Sequence, residues 1–187
     1  MTSLGAALFP TEIGQCGLGW NPQGIYAVLL PEASDALTRK RLAARCGPQV
    51  PMGVPPAPVL AAIAAMQRLL AGGSVDLGCI ALDMSGVPEF NARVYAIARG
   101  IPPGQTRTYG SIARELGDVR LARAVGTALG RNPFPIVVPC HRVLGADGSM
   151  TGFSAPGGVT TKRRMLAIEG VRQPVTGSLF QDEAQGR

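Results

Sequence analysis

The chain has 187 residues, of which 46% are apolar, and its formal net charge is +6 at pH 7. It is long enough for one large domain or two small ones, and apolar enough to bury a core. It has no run of 18 apolar residues and no basic segment ahead of its short apolar N-terminal stretch, so we expect neither a membrane span nor a signal peptide, and assign the cytoplasm.

The first half of the chain predicts a mixed α and β domain without a recognisable chemical motif. The predicted elements are a strand at 24–31, helices at 33–46 and 59–71, and a strand at 75–82. Turn residues cluster at 84–88. We therefore predict an N-terminal structural domain over residues 1–84 and a second domain over residues 85–171.

Three of the four cysteines, Cys16, Cys46 and Cys79, lie in this first half. They are widely spaced, no Cys-x-x-Cys pair occurs, and the only histidine of the chain is His141. A zinc site needs several Cys and His ligands close together, and disulfides are rare in the cytosol. We expect these three cysteines to be small core residues and predict no metal site.

The second half predicts short helices with clear ends. They are a helix at 89–99, a helix through Leu116 with Thr108 as its N-cap, and a helix at 119–130. The last two are joined by a tight turn at Gly117-Asp118, as in a helix-turn-helix. Such pairs also occur in any helical bundle, so this pattern by itself leaves the function open.

The positive charge is concentrated in the second half. Residues 85–170 hold eleven Lys and Arg against five Asp and Glu, whereas residues 1–84 hold five of each. This distribution predicts a site for a polyanion on the second half. Within the 119–130 helix, Arg123 lies among small residues: Ala122, Ala124, Gly126, Thr127 and Ala128. They fit either tight core packing or a helix that presses into a DNA groove with one long cation.

The most reactive stretch follows an apolar run that ends at Pro139. Cys140, His141 and Arg142 come directly after it. Because proline removes a backbone donor, we expect Cys140 to begin a turn or short helix where the thiol faces a cavity. Neighbouring cations favour the thiolate. Adjacent side chains diverge, so a bridging water is the expected route for a proton between thiol and imidazole.

An acidic side chain is expected to orient the imidazole. The nearest acids downstream are Asp147 and Glu169. Asp147 lies in a turn sequence, where aspartate is usually structural. Glu169 ends a predicted helix, where the helix dipole disfavours an acid, so its placement favours a functional role. The spacing of these residues alone does not decide the reaction.

Residues 139–143, Pro-Cys-His-Arg-Val, resemble the active-site signature of the O6-alkylguanine-DNA alkyltransferases, also called methylated-DNA–protein-cysteine methyltransferases. Further similar segments follow the order of the family: residues 101–110, 123–126, 132–133, 152–154 and 166–170. Five motifs in this order are far more specific than one tetrapeptide. The resemblance covers residues 88–171.

The resemblance implies an α+β protein, with an N-terminal ribonuclease-H-like α/β domain and a C-terminal helical domain that carries a winged-helix-type helix-turn-helix. It implies repair of double-stranded DNA that contains alkylated guanine. The guanine is flipped from the minor groove, and its O6-methyl or other alkyl group is transferred irreversibly to Cys140, once per molecule. No cofactor is implied. The resemblance implies a monomer, associated with the nucleoid when bound, and leaves cooperative binding and O4-methylthymine open. Residues 172–187 are expected to form a partly disordered tail.

The resemblance also implies roles for single residues at the reaction centre. Cys140 resembles the alkyl acceptor, His141 the group that takes the thiol proton through a water, and Glu169 the carboxylate that orients the histidine. Asn132 resembles the residue that holds the active-site turn. Tyr109 resembles the phenol that helps to rotate the nucleotide and to protonate the departing guanine.

DNA contacts and a substrate pocket are implied in the same way. Arg123 resembles the finger that fills the vacated base stack. The other implied DNA-binding residues are Ala122, Ala124, Gly126, Thr127, Thr108 and Tyr109. The implied pocket residues are Val143, Phe153, Ser154 and Ala155, with the backbone carbonyls of Cys140 and Val143 and the Ser154 region resembling the edges that read guanine. The segment 152–158 is slightly longer than the Gly-Tyr-Ser-Gly-Gly form of the family, and Phe153 stands where some members carry tyrosine. Some relatives bind zinc in the N-terminal domain, but this chain has no histidine there.

Three alternatives belong to other functional classes. A non-catalytic lesion-binding relative would lack the acceptor cysteine, and Cys140 argues against it. A cysteine hydrolase that uses Cys140, His141 and Glu169 would turn over repeatedly, but it leaves the basic half and Arg123 unexplained. A winged-helix transcriptional regulator of this kind carries an additional cysteine-rich zinc domain, which this sequence lacks.

Overall fold

The computed structural model describes residues 4–150 and 153–171, and the predicted tail at 172–187 lies outside the described residues. The strands are β1 (Gly5–Thr11), β2 (Gly14–Asn21), β3 (Gly24–Leu29), β4 (Arg107–Thr108) and β5 (Val143–Leu144). The helices are α1 (Asp35–Cys46), α2 (Ala57–Leu70), α3 (Glu89–Arg99), α4 (Tyr109–Glu115), α5 (Ala122–Gly130) and α6 (Gly158–Ile168), with single 3-10 turns at Val119–Leu121 and Cys140–Arg142. The fold is α+β. None of the described helices is both long and apolar enough to cross a membrane.

The N-terminal sheet is an antiparallel meander in the order β1-β2-β3. Its two turns use Gly14 and Gly24, both at positive φ, which glycine adopts without steric cost. The sequence predicts only the third strand, because glycines in β2 and Pro10 in β1 weaken the strand pattern. The predicted helices at 33–46 and 59–71 are confirmed as α1 and α2, which pack against this sheet.

The strand predicted at 75–82 is wrong. Within this segment only Leu82 forms an isolated bridge, to Ile25. The Asp76 carboxylate accepts a hydrogen bond from the backbone N–H of Gly78 at 2.7 Å and thereby turns the chain. The Arg99 guanidinium donates to three backbone carbonyls of the segment, those of Leu77, Gly78 and Ile80. A side chain therefore satisfies carbonyls that a neighbouring strand would otherwise bond.

The helices of the second half begin and end close to their predicted positions. The helix at 89–99 is confirmed as α3, and Thr108 is the N-cap of α4, with its Oγ1 accepting from the Ser111 N–H at 3.0 Å. The helix predicted at 119–130 is divided into a 3-10 turn and α5, because the Asp118 side chain accepts from the Arg120 N–H and caps the turn first. β4 and β5 form a short parallel pair beside α4.

The active-site segment of the second half also packs on the N-terminal sheet. Ile136, Val137 and Met165 lie in the same buried cluster as the residues of β1, β2 and α2. The backbone N–H of Val28 on β3 donates to the Pro133 carbonyl at 2.8 Å. A second cluster lies between α3, α4 and α5. The segment after α5 therefore lies between two cores, and both of them fix its path.

Candidate active site

The turn that leads to Cys140 is held by the side chain of Asn132. Its Nδ2 donates to the Val138 carbonyl at 2.8 Å, and its Oδ1 accepts from the Phe134 N–H at 2.9 Å. Between these contacts the buried Ile136 has φ 75°, a left-handed conformation that is strained for a β-branched residue. One amide side chain therefore closes a turn that this sequence would not favour locally.

Cys140 begins the 3-10 turn Cys140–Arg142, as expected from the preceding proline. The Cys140 N–H donates to the Val138 carbonyl at 2.8 Å, and the Arg142 N–H donates to the Pro139 carbonyl at 2.9 Å. These bonds direct consecutive side chains to different sides of the turn. The Cys140 thiol lines a cavity, whereas the side chains of His141 and Arg142 are buried behind it.

The Glu169 carboxylate contacts the buried side chains of both His141 and Arg142. Its Oε1 lies 2.9 Å from His141 Nε2 and accepts from Arg142 Nη2 at 2.8 Å, while its Oε2 accepts from Arg142 Nε at 2.8 Å. The Arg142 guanidinium also donates to the Ile101 carbonyl at 2.5 Å. Glu169 directly follows the last residue of α6, and its side chain is only 2% exposed. Of the two acids considered, Glu169 meets the imidazole, whereas Asp147 caps a separate turn through the Ser149 N–H.

The protonation states within this group follow from burial and charge balance. Burial by itself raises the pKa of Glu169, but hydrogen bonds and charge from His141 and Arg142 outweigh it and lower that pKa to about 2. Burial lowers the pKa of His141, with help from Arg142 and Lys162 and against the opposing effect of Glu169. Because Arg142 already neutralises the carboxylate, the imidazole is a neutral base. Its Nδ1 is buried and has no hydrogen-bond partner among the described residues.

The thiol is protonated at rest. Burial raises the pKa of Cys140, against the smaller lowering effects of the Asn132 amide and the Lys162 cation. Lys162, rather than Arg142, is therefore the cation that favours the thiolate. A thiol with a raised pKa needs a base at the moment it attacks, and a neutral histidine one residue away is suited to that task.

The cavity in front of Cys140 has a volume of about 380 Å³. The predicted site residues that line it are Tyr109, Asn132, Cys140, Phe153, Ser154 and Ala155. Ser154 Oγ donates to the Gly130 carbonyl at 2.8 Å and thereby attaches the pocket segment to the end of α5. Val143 is not among the described residues that line the cavity. Its side chain is buried in the core between the helices, and its carbonyl accepts a hydrogen bond from Lys162.

Lys162 is a further site residue, and it was not predicted from the sequence. Its side chain is completely buried, its Nζ donates to the Val143 carbonyl at 2.6 Å, and it lies 5.9 Å from the ring centroids of both Tyr109 and Phe153. Burial lowers its pKa to about 8, against the opposing effect of Cys140. The signal was present in the sequence, because Lys162 shares the helical spacing of Met165 and Glu169 on one face of α6.

One face of α5 is available for a large partner. Val125, Ala128 and Leu129 are buried, and the opposite face exposes Arg123, Ala124 and Thr127. The Arg123 side chain forms no hydrogen bond or ion pair with any described residue. A side chain at Gly126 would contact the ring of Tyr109, which places the exposed helix beside the cavity. Ala122 is half-buried at the start of α5.

Known proteins are similar to this chain over most of its length. Residues 89–171 match the family model described as 6-O-methylguanine DNA methyltransferase, DNA binding domain. The methylated-DNA–protein-cysteine methyltransferase of Methanothermobacter thermautotrophicus is 34% identical over 155 residues, which are 83% of this chain and 79% of the relative. This chain belongs to the methylated-DNA–protein-cysteine methyltransferase family.

Two mycobacterial members of the methylated-DNA–protein-cysteine methyltransferase family give further comparisons. The protein of Mycolicibacterium paratuberculosis is 48% identical over 101 residues, which are 54% of this chain and 59% of the relative. The match to this relative therefore spans well under two thirds of its length. The crystal structure of Mycobacterium tuberculosis OGT in complex with DNA superimposes with a TM-score of 0.67 at 30% identity, covering 88% of this chain and 91% of the other.

The sequence predicts no zinc site in this chain. In the described residues of this chain, no group of three or more His, Cys, Asp and Glu is arranged to hold a metal ion. Cys16 is buried, as expected for a core residue, whereas Cys46 is only partly buried and Cys79 is exposed. The expectation that Cys79 lies in the core is therefore wrong, because its segment is a turn rather than a strand.

Proposed function

We propose that this protein repairs double-stranded DNA by transferring the methyl or other alkyl group of O6-alkylguanine irreversibly to Cys140, once per molecule. The observation that carries this proposal is a protonated thiol on a cavity wall, one residue from a neutral imidazole that Glu169 holds. A helix that exposes small residues and a free Arg123 lies beside the same cavity.

The proposed reaction is an in-line displacement at the alkyl carbon. As the Cys140 sulfur forms its bond to that carbon, the bond from carbon to guanine O6 breaks, and its electron pair stays on guanine. The thiol proton passes through a water to Nδ1 of His141, and Glu169 stabilises the resulting imidazolium. A thioether does not release its alkyl group readily, so the protein is consumed.

The departing guanine needs a proton, and Tyr109 is the proposed donor. Burial, together with the nearby Cys140, raises the pKa of the Tyr109 phenol, so it carries its proton at neutral pH. Tyr109 and Cys140 line the same cavity. The phenol regains its proton from His141 through solvent, and the overall change is one thiol and one alkylguanine converted into one thioether and one guanine.

A base inside a duplex cannot present its O6 substituent to a buried thiol, so the proposal requires base flipping. We assign α4 and α5 to a winged-helix-type helix-turn-helix, with β4 and β5 in the wing. α5 enters the minor groove, and Arg123 takes the place of the flipped guanine. The DNA complex of the M. tuberculosis relative supports DNA as the partner. The ribonuclease-H-like N-terminal half over residues 1–84 and the DNA-binding half over 85–171 complete the proposed organisation.

In this proposal the protein works as a cytoplasmic monomer without a cofactor. The thiol and the alkylguanine supply all the atoms and electrons of the displacement, and His141 and Tyr109 carry the proton. The reaction therefore requires no redox cofactor and no cofactor that carries the alkyl group. The half-buried Phe153 has no hydroxyl, so the pocket recognises guanine without a contact from that position.

The test is to mix the protein with duplex DNA that carries one O6-methylguanine and to measure the intact mass of the protein. We expect one added methyl group per protein molecule, located on Cys140 by peptide mapping, and one lesion removed for each protein consumed. Lesion removal well beyond one equivalent would refute the single-use mechanism and favour a cysteine hydrolase. Tight binding without any mass change would favour a non-catalytic lesion binder.

Arg123→Ala is expected to slow repair in duplex DNA while sparing the free base. Without the long cation, nothing fills the vacated stack, and stacking contacts of this kind are worth about 1–3 kcal/mol, or roughly 5- to 150-fold in rate. Reaction with free O6-methylguanine needs no flipping and is expected to stay unchanged. Arg163→Ala is the matched control, because it removes another exposed arginine, on α6. Equal losses on both substrates would contradict the role of Arg123.

A further inference from the structure

The acceptor cavity is lined from both halves of the chain. Arg41 and Arg45 on α1 line the cavity, and Arg131, directly after α5, is a third cationic lining residue. The described residues that line the cavity include these three arginines and no acidic side chain. The balanced charge of the N-terminal half therefore conceals a local excess of positive charge close to the reactive thiol.

We propose that Arg41, Arg45 and Arg131 form a cationic rim that binds the backbone phosphates of the DNA strand on either side of the flipped nucleotide. The inference rests on the proposed function, and it gives the N-terminal half a direct part in holding DNA. Arg131 follows the groove-binding helix, whereas Arg41 and Arg45 belong to an element outside the helix-turn-helix. The rim thus extends the DNA-binding surface across the cavity.

The two arginines of α1 share one face of their helix. They are four residues apart, so their side chains project in the same direction. The helix also carries Arg39 and Lys40, which are exposed but do not line the cavity. The basic residues of α1 therefore fall into a cavity-facing pair and a pair that does not reach the cavity.

The rim arginines are available to a ligand. Arg41 forms an ion pair with Glu32, but its side chain remains 46% exposed, and pairs of this kind contribute little to stability. Arg45 and Arg131 are exposed, and neither side chain has an ion-pair partner among the described residues. Each guanidinium can therefore turn to a phosphate without breaking a buried interaction.

Phosphate is the ligand that fits this arrangement. A guanine that enters the cavity brings its sugar and two flanking phosphates to the cavity mouth. Guanidinium groups bind phosphate oxygens through two parallel hydrogen bonds. Contacts of this kind position the strand independently of base sequence, so the rim would act on damaged and undamaged DNA alike.

The experiment compares Arg45→Gln and the double variant Arg41→Gln/Arg45→Gln with Lys40→Gln. All three variants keep a good helix former on α1, and Lys40→Gln removes a charge that does not line the cavity. Binding to unmodified and O6-methylguanine duplexes is measured by fluorescence anisotropy over a range of salt concentrations. Thermal unfolding confirms that each variant is folded.

We expect the slope of log affinity against log salt to become shallower by about 0.9 for each phosphate that a variant no longer neutralises. We expect a shallower slope for Arg45→Gln and a still shallower slope for the double variant. The slope of Lys40→Gln is expected to stay close to that of the wild type. In the rim variants, duplex affinity is expected to fall by a larger factor than the rate of methyl transfer from the free base.

Equal slopes of log affinity against log salt for Lys40→Gln and the rim variants would contradict the proposed phosphate binding by the rim. A slower reaction with the free base at unchanged duplex affinity would also overturn it, because Arg41 and Arg45 would then act on the pocket. Failure of the wild-type protein to take up a methyl group would instead overturn the proposed function.

Discussion

Cys140→Ala is expected to abolish methyl uptake completely while leaving the fold and the binding of damaged DNA intact. Among the described residues that line the cavity, the Cys140 thiol is the group suited to attack carbon, and neither water nor a phenol at neutral pH replaces it. The substitution removes one sulfur atom at a cavity, where neighbouring side chains keep their own partners. We expect a change in unfolding free energy of about 1 kcal/mol or less.

The measurement combines intact mass with duplex binding. The variant is expected to gain no mass after long incubation with O6-methylguanine DNA, yet to bind that DNA with wild-type affinity. Cys79→Ala is the matched control, since it removes an exposed cysteine outside the site and is expected to react normally. A methyl group found on the Cys140→Ala protein would identify a different acceptor and refute the proposed role of Cys140.

Glu169→Gln is expected to have the largest combined effect on stability and rate. The Arg142 guanidinium would remain buried without its counter-charge, and breaking such a pair typically costs about 3–5 kcal/mol. The imidazolium that forms during attack would also lose its carboxylate. We expect single-turnover transfer to slow by roughly 10²-fold or more, because proton transfer from the thiol becomes unfavourable. Urea unfolding and rapid-quench measurements separate the two effects.

The same substitution predicts a change in acid sensitivity. The pKa of Glu169 is lowered from 4.5 to about 2 in the folded protein, so the folded state binds fewer protons than the unfolded state in this range. The stabilisation from Glu169 is therefore fully present above pH 4.5 and is lost as the pH falls toward 2. Glu169→Gln is expected to lose less stability than the wild type between pH 5 and pH 3.

Glu115→Gln provides the comparison for both measurements. Glu115 forms an exposed ion pair with Arg107, so its replacement is expected to leave the unfolding free energy, its pH dependence and the transfer rate almost unchanged. An identical pH dependence for the wild type and Glu169→Gln would contradict the ionised state assigned to Glu169. A wild-type transfer rate in Glu169→Gln would contradict its proposed action through His141.

The sequence predicted best those elements whose ends carry local signals. α3 has the predicted bounds because Gly100 caps its C-terminus, and α4 begins at the predicted N-cap because the Thr108 side chain bonds the first turn. Interactions between residues that are distant in sequence were harder to predict. The strand predicted at 75–82 failed because Arg99, from the next helix, takes the carbonyls of that segment.

The same distinction applies within the site. The helix dipole drew attention to Glu169, and the structure places it against His141. The second partner of Glu169, Arg142, lies 27 positions away in the chain, and no local pattern indicated this pairing. Lys162 was missed because a charged residue on a helix is usually solvated, whereas here a carbonyl and two aromatic rings enclose it.

The packing of the thiol-bearing turn on the N-terminal sheet makes the geometry of that turn depend on the stability of the sheet. The turn is bonded to β3 through Val28 and Pro133, and Ile136 is buried in the sheet's core with its backbone held in a strained conformation. Strain of this kind persists only while the surrounding structure enforces it. If the sheet opens locally, the turn loses this support and the Cys140 thiol no longer keeps its position on the cavity wall. The more often the sheet opens, the smaller is the fraction of molecules in which the reactive turn is correctly formed.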